Sequence, residues 1–299
     1  MKKHMFAGTM TPIGFVSYFD HILPLEKTRR RYFLKGSSGS GKSTFMKKIA
    51  AELELMGQSV ERFHCANDVD SLDAVSTGEV CFIDATAPHL CEPEIPAAVD
   101  EIIDFAHFLD EEKLKPRVGE IKALIAEKKT ANKKAAELLA AVGDAFGMQD
   151  VITSVGAERK MFLSAFTPDG LISFAEHYFM ECRKVETGVD FGRTSGFLAE
   201  LRDEANACGE EVMGFYSPLA PNLLEYLHFP KVNIVFINKG RGFDGIMLDN
   251  VIAVAVKAMH KARSYHYEIE KIYAEAMDFE GVDKKTQEVL VLARNNFER

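Results

Sequence analysis

The chain has 299 residues, 47% of them hydrophobic and 27% charged, with a formal net charge of −9 and an isoelectric point near 5.6. That length predicts two ordinary domains or one large one, and the acidic balance excludes a broad nucleic-acid surface, which needs clustered Lys and Arg. No apolar run is long enough to span a bilayer, the stretch after Met1-Lys2-Lys3-His4 is too polar for a signal peptide, and the five scattered cysteines fit a reduced compartment. The expectation is a cytoplasmic protein with neither a membrane nor a nucleic-acid partner.

Taken in chain order, Ile13 to Leu23 reads as an amphipathic helix and Arg31 to Leu34 as the first strand. A helix is predicted from Lys42 to Met56, because Met46, Ile49, Ala50, Leu53 and Met56 recur at helical spacing on one face. Gly57 is placed to end it as a C-cap glycine. Val60 to Cys65 reads as a second strand. A polar stretch holding Asp68, Asp70 and Asp73 then leads to Val80-Cys81-Phe82-Ile83, which reads as a buried parallel strand. Beyond Pro96 the chain turns helical. Glu111 to Phe146, rich in Ala, Lys, Glu and Leu, predicts long helices forming a hairpin arm at about 97–148 within a domain of residues 1–150.

Between the first strand and the first helix lies Gly36-Ser37-Ser38-Gly39-Ser40-Gly41-Lys42-Ser43, which fits the pattern G-x-x-x-x-G-K-[ST] and is followed by Thr44. Chemistry gives each part of this loop a task. The glycines let backbone N–H groups turn toward a phosphate, Lys42 adds a point charge, Ser43 can ligate Mg²⁺, and the helix N-terminus adds partial positive charge. Asp84, directly after the Val80 to Ile83 run, is the expected second magnesium contact. The implied ligand is ATP with Mg²⁺. GTP is disfavoured, because Asp84-Ala85-Thr86-Ala87 lacks the glycine of D-x-x-G and Asn238-Lys239-Gly240-Arg241 ends in Arg where N-K-x-D ends in Asp. His89 and Glu92 follow the Asp84 strand, where they are candidates to orient a water or contact a phosphate alongside Lys42 and Asp84.

Internal similarity is evident. Met5-Phe6, Thr11-Pro12, Gly14, Ser17 and His21 recur as Met161-Phe162, Thr167-Pro168, Gly170, Ser173 and His177, displaced by 156 positions (161 minus 5). The register continues at 152 positions (197 minus 45), where Gly36, Phe45, Gly57, Val60 and Phe63 meet Gly188, Phe197, Gly209, Val212 and Phe215. Residues 151–299 therefore read as a diverged copy with C-terminal helices at about 249–299, and its phosphate loop is degenerate: Arg193 stands for Gly41, Thr194 for Lys42, and only Ser195 is retained. Its Val232 to Ile237 strand ends in Asn238, which stands for Asp84 under a two-residue shift. The fold class expected is α/β, a P-loop NTPase-type, mostly parallel sheet flanked by helices, duplicated, with long helical arms.

The strings Arg31-Tyr32-Phe33-Leu34-Lys35-Gly36 and Lys42-Ser43-Thr44-Phe45-Met46-Lys47-Lys48-Ile49, with Phe63-His64-Cys65, Asp70-Ser71-Leu72-Asp73 and Asp84-Ala85-Thr86-Ala87-Pro88-His89, carry a resemblance. Over most of its length the chain resembles a largely uncharacterised bacterial family of duplicated P-loop ATPases. That resemblance implies ATP binding without naming a second substrate, and because both halves of such proteins can carry a phosphate loop, this chain departs from the pattern in its second copy. Three functions follow: a Mg²⁺-dependent ATPase with one active and one degenerate site, a small-molecule or nucleotide kinase, or an ATP-gated binding or scaffold protein with little turnover. The partner other than ATP, whether second substrate or protein, is open.

Overall fold

The computed structural model describes residues 3–87, 89, 91–145, 159–188, 190–240 and 246–297. The chain divides into two compact units: Met1–Lys3, Ile22–Ala131 and Lys261–Arg299 make one, His4–His21 and Asn132–His260 the other. Both are α/β, with mixed sheets flanked by helices. No helix among the described residues is long and apolar enough to cross a membrane.

The N-terminal strand β1 (Lys3–Met5) is followed by a hairpin, β2 (Gly8–Thr11) and β3 (Gly14–Ser17). This corrects the expected helix from Ile13 to Leu23. Thr11 Oγ1 donates to the Gly14 carbonyl at 2.7 Å and accepts from Ile13 N–H at 3.2 Å, and Gly14 takes a φ of +106°, so the Pro12-Ile13 turn closes an antiparallel pair instead of starting a helix.

The first unit is built on β4 (Arg30–Lys35), α1 (Lys42–Leu55), β5 (Glu61–His64), β6 (Leu72–Ser76), β7 (Val80–Asp84) and β8 (Asp100–Asp104). Among the described residues the sheet order is β1-β5-β6-β7-β4-β8. Strand β4 is parallel to both β7 and β8, whereas β6 is antiparallel to both β5 and β7. The sheet is thus mixed, which corrects the mostly parallel one expected. The cause is β6, which lies inside the stretch read as polar: its residues Leu72 to Ser76 are all buried, Asp73 and Ser76 included. Ser71 N–H donates to the Asp68 carbonyl and Cys65 N–H to the Ser71 carbonyl, reversing the chain between β5 and β6.

Helix α1 buries Phe45, Met46, Ile49, Ala50 and Leu53 against Tyr32, Leu34, Val75 and Phe82, on the face that the spacing predicts. Each large apolar side chain so buried contributes about 1.5–3 kcal/mol. Gly57, at φ +79°, ends the helix: its N–H meets the Glu54 carbonyl and Gln58 N–H meets that of Leu53, the paired bonds of a Schellman cap. Strand β8 falls where helix was expected. Its Asp100 is buried because Arg31 grips it with two bonds of 2.7 and 2.9 Å, and the backbone N–H groups of Glu94 and Ile95 complete the carboxylate's shell. These contacts hold the Asp100 carboxyl at about 2, below its ordinary 3.8.

A short helix, α2 (Glu111–Leu114), precedes α3 (Val118–Ala145), one long helix where a hairpin was expected; Phe146 lies outside the described residues. The second unit continues with β9 (Arg159–Met161), β10 (Ser164–Thr167), β11 (Gly170–Ser173), α4 (Ala175–Tyr178), β12 (Arg183–Thr187), α5 (Phe191–Ala207), β13 (Met213–Tyr216), β14 (Leu224–Phe229) and β15 (Ile234–Asn238). Helix α6 (Ile246–Ala274) then runs antiparallel to α3, and α7 (Phe279–Phe297) closes the chain. In the first unit Lys128 and Glu127 of α3 bond His266 and Tyr265 of α6, and in the second Ala135 and Leu139 pack with Ala255 and Met259. The two long helices α3 and α6 therefore pack on each other.

The second of the two larger sheets, five-stranded, matches the first five strands of the six-stranded one, and β8 has no counterpart in it. Reversed for comparison, the second reads β9-β13-β14-β15-β12, the order of β1-β5-β6-β7-β4, with β14 antiparallel to both neighbours and β12 parallel to β15. The hairpin β10/β11 repeats β2/β3, including the bond from Thr167 Oγ1 to the Gly170 carbonyl at 2.8 Å. Gly209, at φ +76°, caps α5 with the same two bonds that Gly57 makes after α1.

Candidate functional site

Gly41, at φ +86°, is the N-cap of α1, and Gly39 takes φ +76°. Both lie in the left-handed region that side chains avoid, so the loop from Gly36 to Ser43 arrives at the helix with its N–H groups uncapped by any side chain. Lys42 is buried and folds back over the loop, its Nζ donating to the carbonyls of Gly36 at 2.9 Å and Ser37 at 2.8 Å. Asp84 Oδ2 lies 3.6 Å from the same Nζ. Burial pushes the Lys42 ammonium down and the Asp84 carboxyl up, and their mutual attraction opposes both shifts.

The loop's hydroxyls differ in their bonding. Ser40 Oγ donates to the Ser37 carbonyl at 2.8 Å. Ser43 Oγ accepts from Leu72 N–H at 3.0 Å, which ties α1 to β6. Ser37 Oγ is buried with no hydrogen-bond partner among the described residues, a cost of about 1–3 kcal/mol unless a ligand meets it. Ser38 Oγ faces His266 Nδ1 at 3.4 Å. Thr44, the third residue of α1, is exposed.

Asp84 also caps its own turn, accepting from Thr86 N–H at 3.0 Å, while Thr86 Oγ1 donates to the Gly36 carbonyl at 3.1 Å. His89 and Asp73 form a buried pair, Nε2 to Oδ2, at 3.2 Å. Burial would lower the imidazole's pKa, but the Asp73 charge and hydrogen bond raise it above 6.5. Asp73 thus joins Lys42, Asp84 and His89 in one electrostatic cluster. Glu92 stands apart: it is exposed and paired with Lys35 at 2.8 Å.

Residues that the motif does not contain cover the loop. A Cβ at Gly39 would run into the backbone carbonyl of Glu270, and one at Gly41 would touch Phe279 and Val282. Lys128 Nζ lies 2.7 Å from His266 Nδ1. Burial, followed by the neighbouring Lys128 charge, drives His266 down to about 4, so its Nδ1 accepts. No local signal marks Lys128, His266 or Glu270, whereas Asp73 stood in view but was read only as loop polarity.

The corresponding loop of the second unit is built differently. Helix α5 is N-capped by Asp190, whose carboxylate accepts from Arg193 N–H at 2.8 Å. Thr194 takes the lysine position and is buried, and a Cβ at Gly188 would strike its hydroxyl. Backbone at Asp190 and Phe191 crowds Gly240. Asn238 repeats the turn of Asp84, accepting from Gly240 N–H at 3.1 Å, and spends its amide on the carbonyls of Phe191 and Leu224 at 3.0 Å each. Ser195 Oγ accepts from Leu224 N–H at 2.8 Å, the bond Ser43 makes with Leu72.

A groove of about 570 Å³ in the second unit, lined by Phe174, His177, Met180 and Lys184 among others, includes none of these loop residues. Among the described residues no cluster of three His, Cys, Asp or Glu is arranged to hold a metal on its own. The cradle fits a polyphosphate on three counts: left-handed glycines, an uncapped helix N-terminus and the orphaned Ser37 hydroxyl. Comparison of the chain with protein-family models, curated proteins and solved structures gave no match.

Proposed function

We propose that the chain is an internally duplicated P-loop protein of the ATPase kind that binds one MgATP, at the loop from Gly36 to Thr44, and hydrolyses it to ADP and phosphate. The observation carrying this reading is the uncapped N-terminus of α1 with Lys42 folded over the same loop. Lys42 exchanges loop carbonyls for phosphate oxygens when the nucleotide enters, and the backbone N–H groups of the loop take the remaining charge. Ser43 and Asp84 are the residues that would hold Mg²⁺, which when bound supplies positive charge to the β- and γ-oxygens. ATP is preferred to GTP because the guanine-reading pattern is absent.

In hydrolysis, the water oxygen bonds the γ-phosphorus as the bond from that phosphorus to the β–γ bridging oxygen breaks, and ADP leaves with the electron pair. With Nε2 donating to Asp73, His89 has Nδ1 as the nitrogen able to take the water proton. Calorimetry with MgATP, followed by phosphate release in wild type, Lys42→Ala and His89→Ala, tests this. The expectation is lost binding in the first variant and retained binding with a rate lowered at least tenfold in the second. Glu92, tied to Lys35 at the surface, is assigned no step.

A second reading is an ATP-gated scaffold with little turnover. Ala85 in place of a glutamate after Asp84, and the close cover of Gly39 by Glu270, favour it. Tight MgATP binding without ADP formation would select it. Among the described residues no acceptor site for a kinase is singled out.

A further inference from the structure

Lys128 belongs to α3, far in sequence from the phosphate loop, yet one imidazole links its ammonium to that loop. It is 2.7 Å from His266 Nδ1, and that nitrogen is 3.4 Å from Ser38 Oγ in the loop. His266 also feels the charges of Lys42, Asp68 and Asp73. Lys128 is held in low-dielectric surroundings that disfavour its charge, against which Cys65 and Glu270 act weakly. Among the described residues it makes no ion pair within 4.0 Å, in contrast to Lys35, Lys48, Lys113 and Lys115, each of which has a carboxylate partner.

A half-buried ammonium whose one hydrogen-bond partner among the described residues is an imidazole nitrogen is a costly arrangement. An anion arriving beside Ser38 would give it the charged partner it lacks, and the cover by α6 fixes its place. Gly39 lies against the Glu270 carbonyl, so the helix that carries His266 is seated on the loop itself.

We propose that Lys128 is a phosphate contact of the nucleotide site, engaging the terminal phosphate of a bound triphosphate and thereby making the site prefer ATP to ADP. This deepens the nucleotide reading given above and rests on it. Lys42 holds the phosphates from the loop side and Lys128 from the helical side. Their roles separate by phosphate: Lys42 serves any nucleotide with a β-phosphate, Lys128 only one with a γ-phosphate.

The test compares MgATP and MgADP affinities by calorimetry on the full chain in wild type, Lys128→Gln, Lys128→Arg and Lys42→Ala, with thermal melts run on each. The expected result is a loss of ATP affinity of at least tenfold in Lys128→Gln, with ADP affinity held within about twofold, and recovery of most of the ATP preference in Lys128→Arg. The retained ADP affinity doubles as evidence that the variant is folded. An unchanged ATP affinity, or equal losses for both nucleotides, would overturn the assignment. If Lys42→Ala left both affinities at the wild-type level, the phosphate-loop reading itself would fall, a different failure from that of Lys128.

Discussion

Two helices of matching position begin in opposite ways. Helix α1 starts at a left-handed glycine with no side-chain cap, whereas α5 starts at Asp190, whose own carboxylate takes the free N–H of Arg193. Both face the same physical problem, the partial positive charge and unpaired donors of a helix N-terminus. One offers no side chain there; the other supplies a carboxylate from the chain. A helix start that already carries a carboxylate repels an added anion, and α5 has neither the lysine nor the left-handed N-cap glycine of α1.

The sharpest way to break this contrast is at the lysine position. Lys42→Ala should lower MgATP affinity at least about 100-fold, the scale of losing charged bonds to a phosphate, while Thr194→Ala leaves it within twofold. Calorimetry giving two equivalents of nucleotide per chain in the wild type would abolish the contrast.

Next in size is the acid at the head of the strand that bonds each serine. Asp73 faces Lys42 and His89, but Glu225, at the matching place in β14, has only the Ser217 hydroxyl to offset its burial, which pushes it up to about 7 from 4.5. A carboxyl raised in the fold favours the protonated native state, so its contribution is fully present below pH 4.5 and is lost as pH climbs through 7. Urea melts should therefore show Glu225→Gln gaining about 2 kcal/mol on wild type at pH 8, allowing for partial solvent access, and little at pH 5.

Smaller is the serine bond common to both units. Ser43→Ala and Ser195→Ala should each cost about 1–2 kcal/mol by denaturant melts, since Leu72 N–H and Leu224 N–H lose a partner. Only Ser43→Ala should alter the magnesium dependence of nucleotide binding. Smallest is the cap: Asp190→Ala should cost about 1 kcal/mol of stability and create no nucleotide site, because the lysine is still absent.

Features with a short-range cause were legible in the sequence. The loop, the α1 core face, the Gly57 cap and strand β7 follow from spacing within a few residues. Strand β6 was not, because Asp73 and Ser76 look like loop residues until His89 and the sheet surround them. Strand β8 was read as helix because nothing near Asp100 reveals that Arg31, 69 positions away, will bury it. The Pro12-Ile13 turn lost to an apparent helical period over too few residues. At the candidate site, the loop residues and Asp84 were in plain view, but Lys128, His266 and Glu270 sit on helices whose composition reads as an ordinary solvated surface.

The Ser195 bond to Leu224 has a wider consequence. A serine at a loop like this one invites the belief that it meets a ligand, yet its backbone hydrogen bond to Leu224 gives it a structural task of its own. Residues with two employments are poor witnesses to either, and a binding site is better judged from positions that the fold itself does not use.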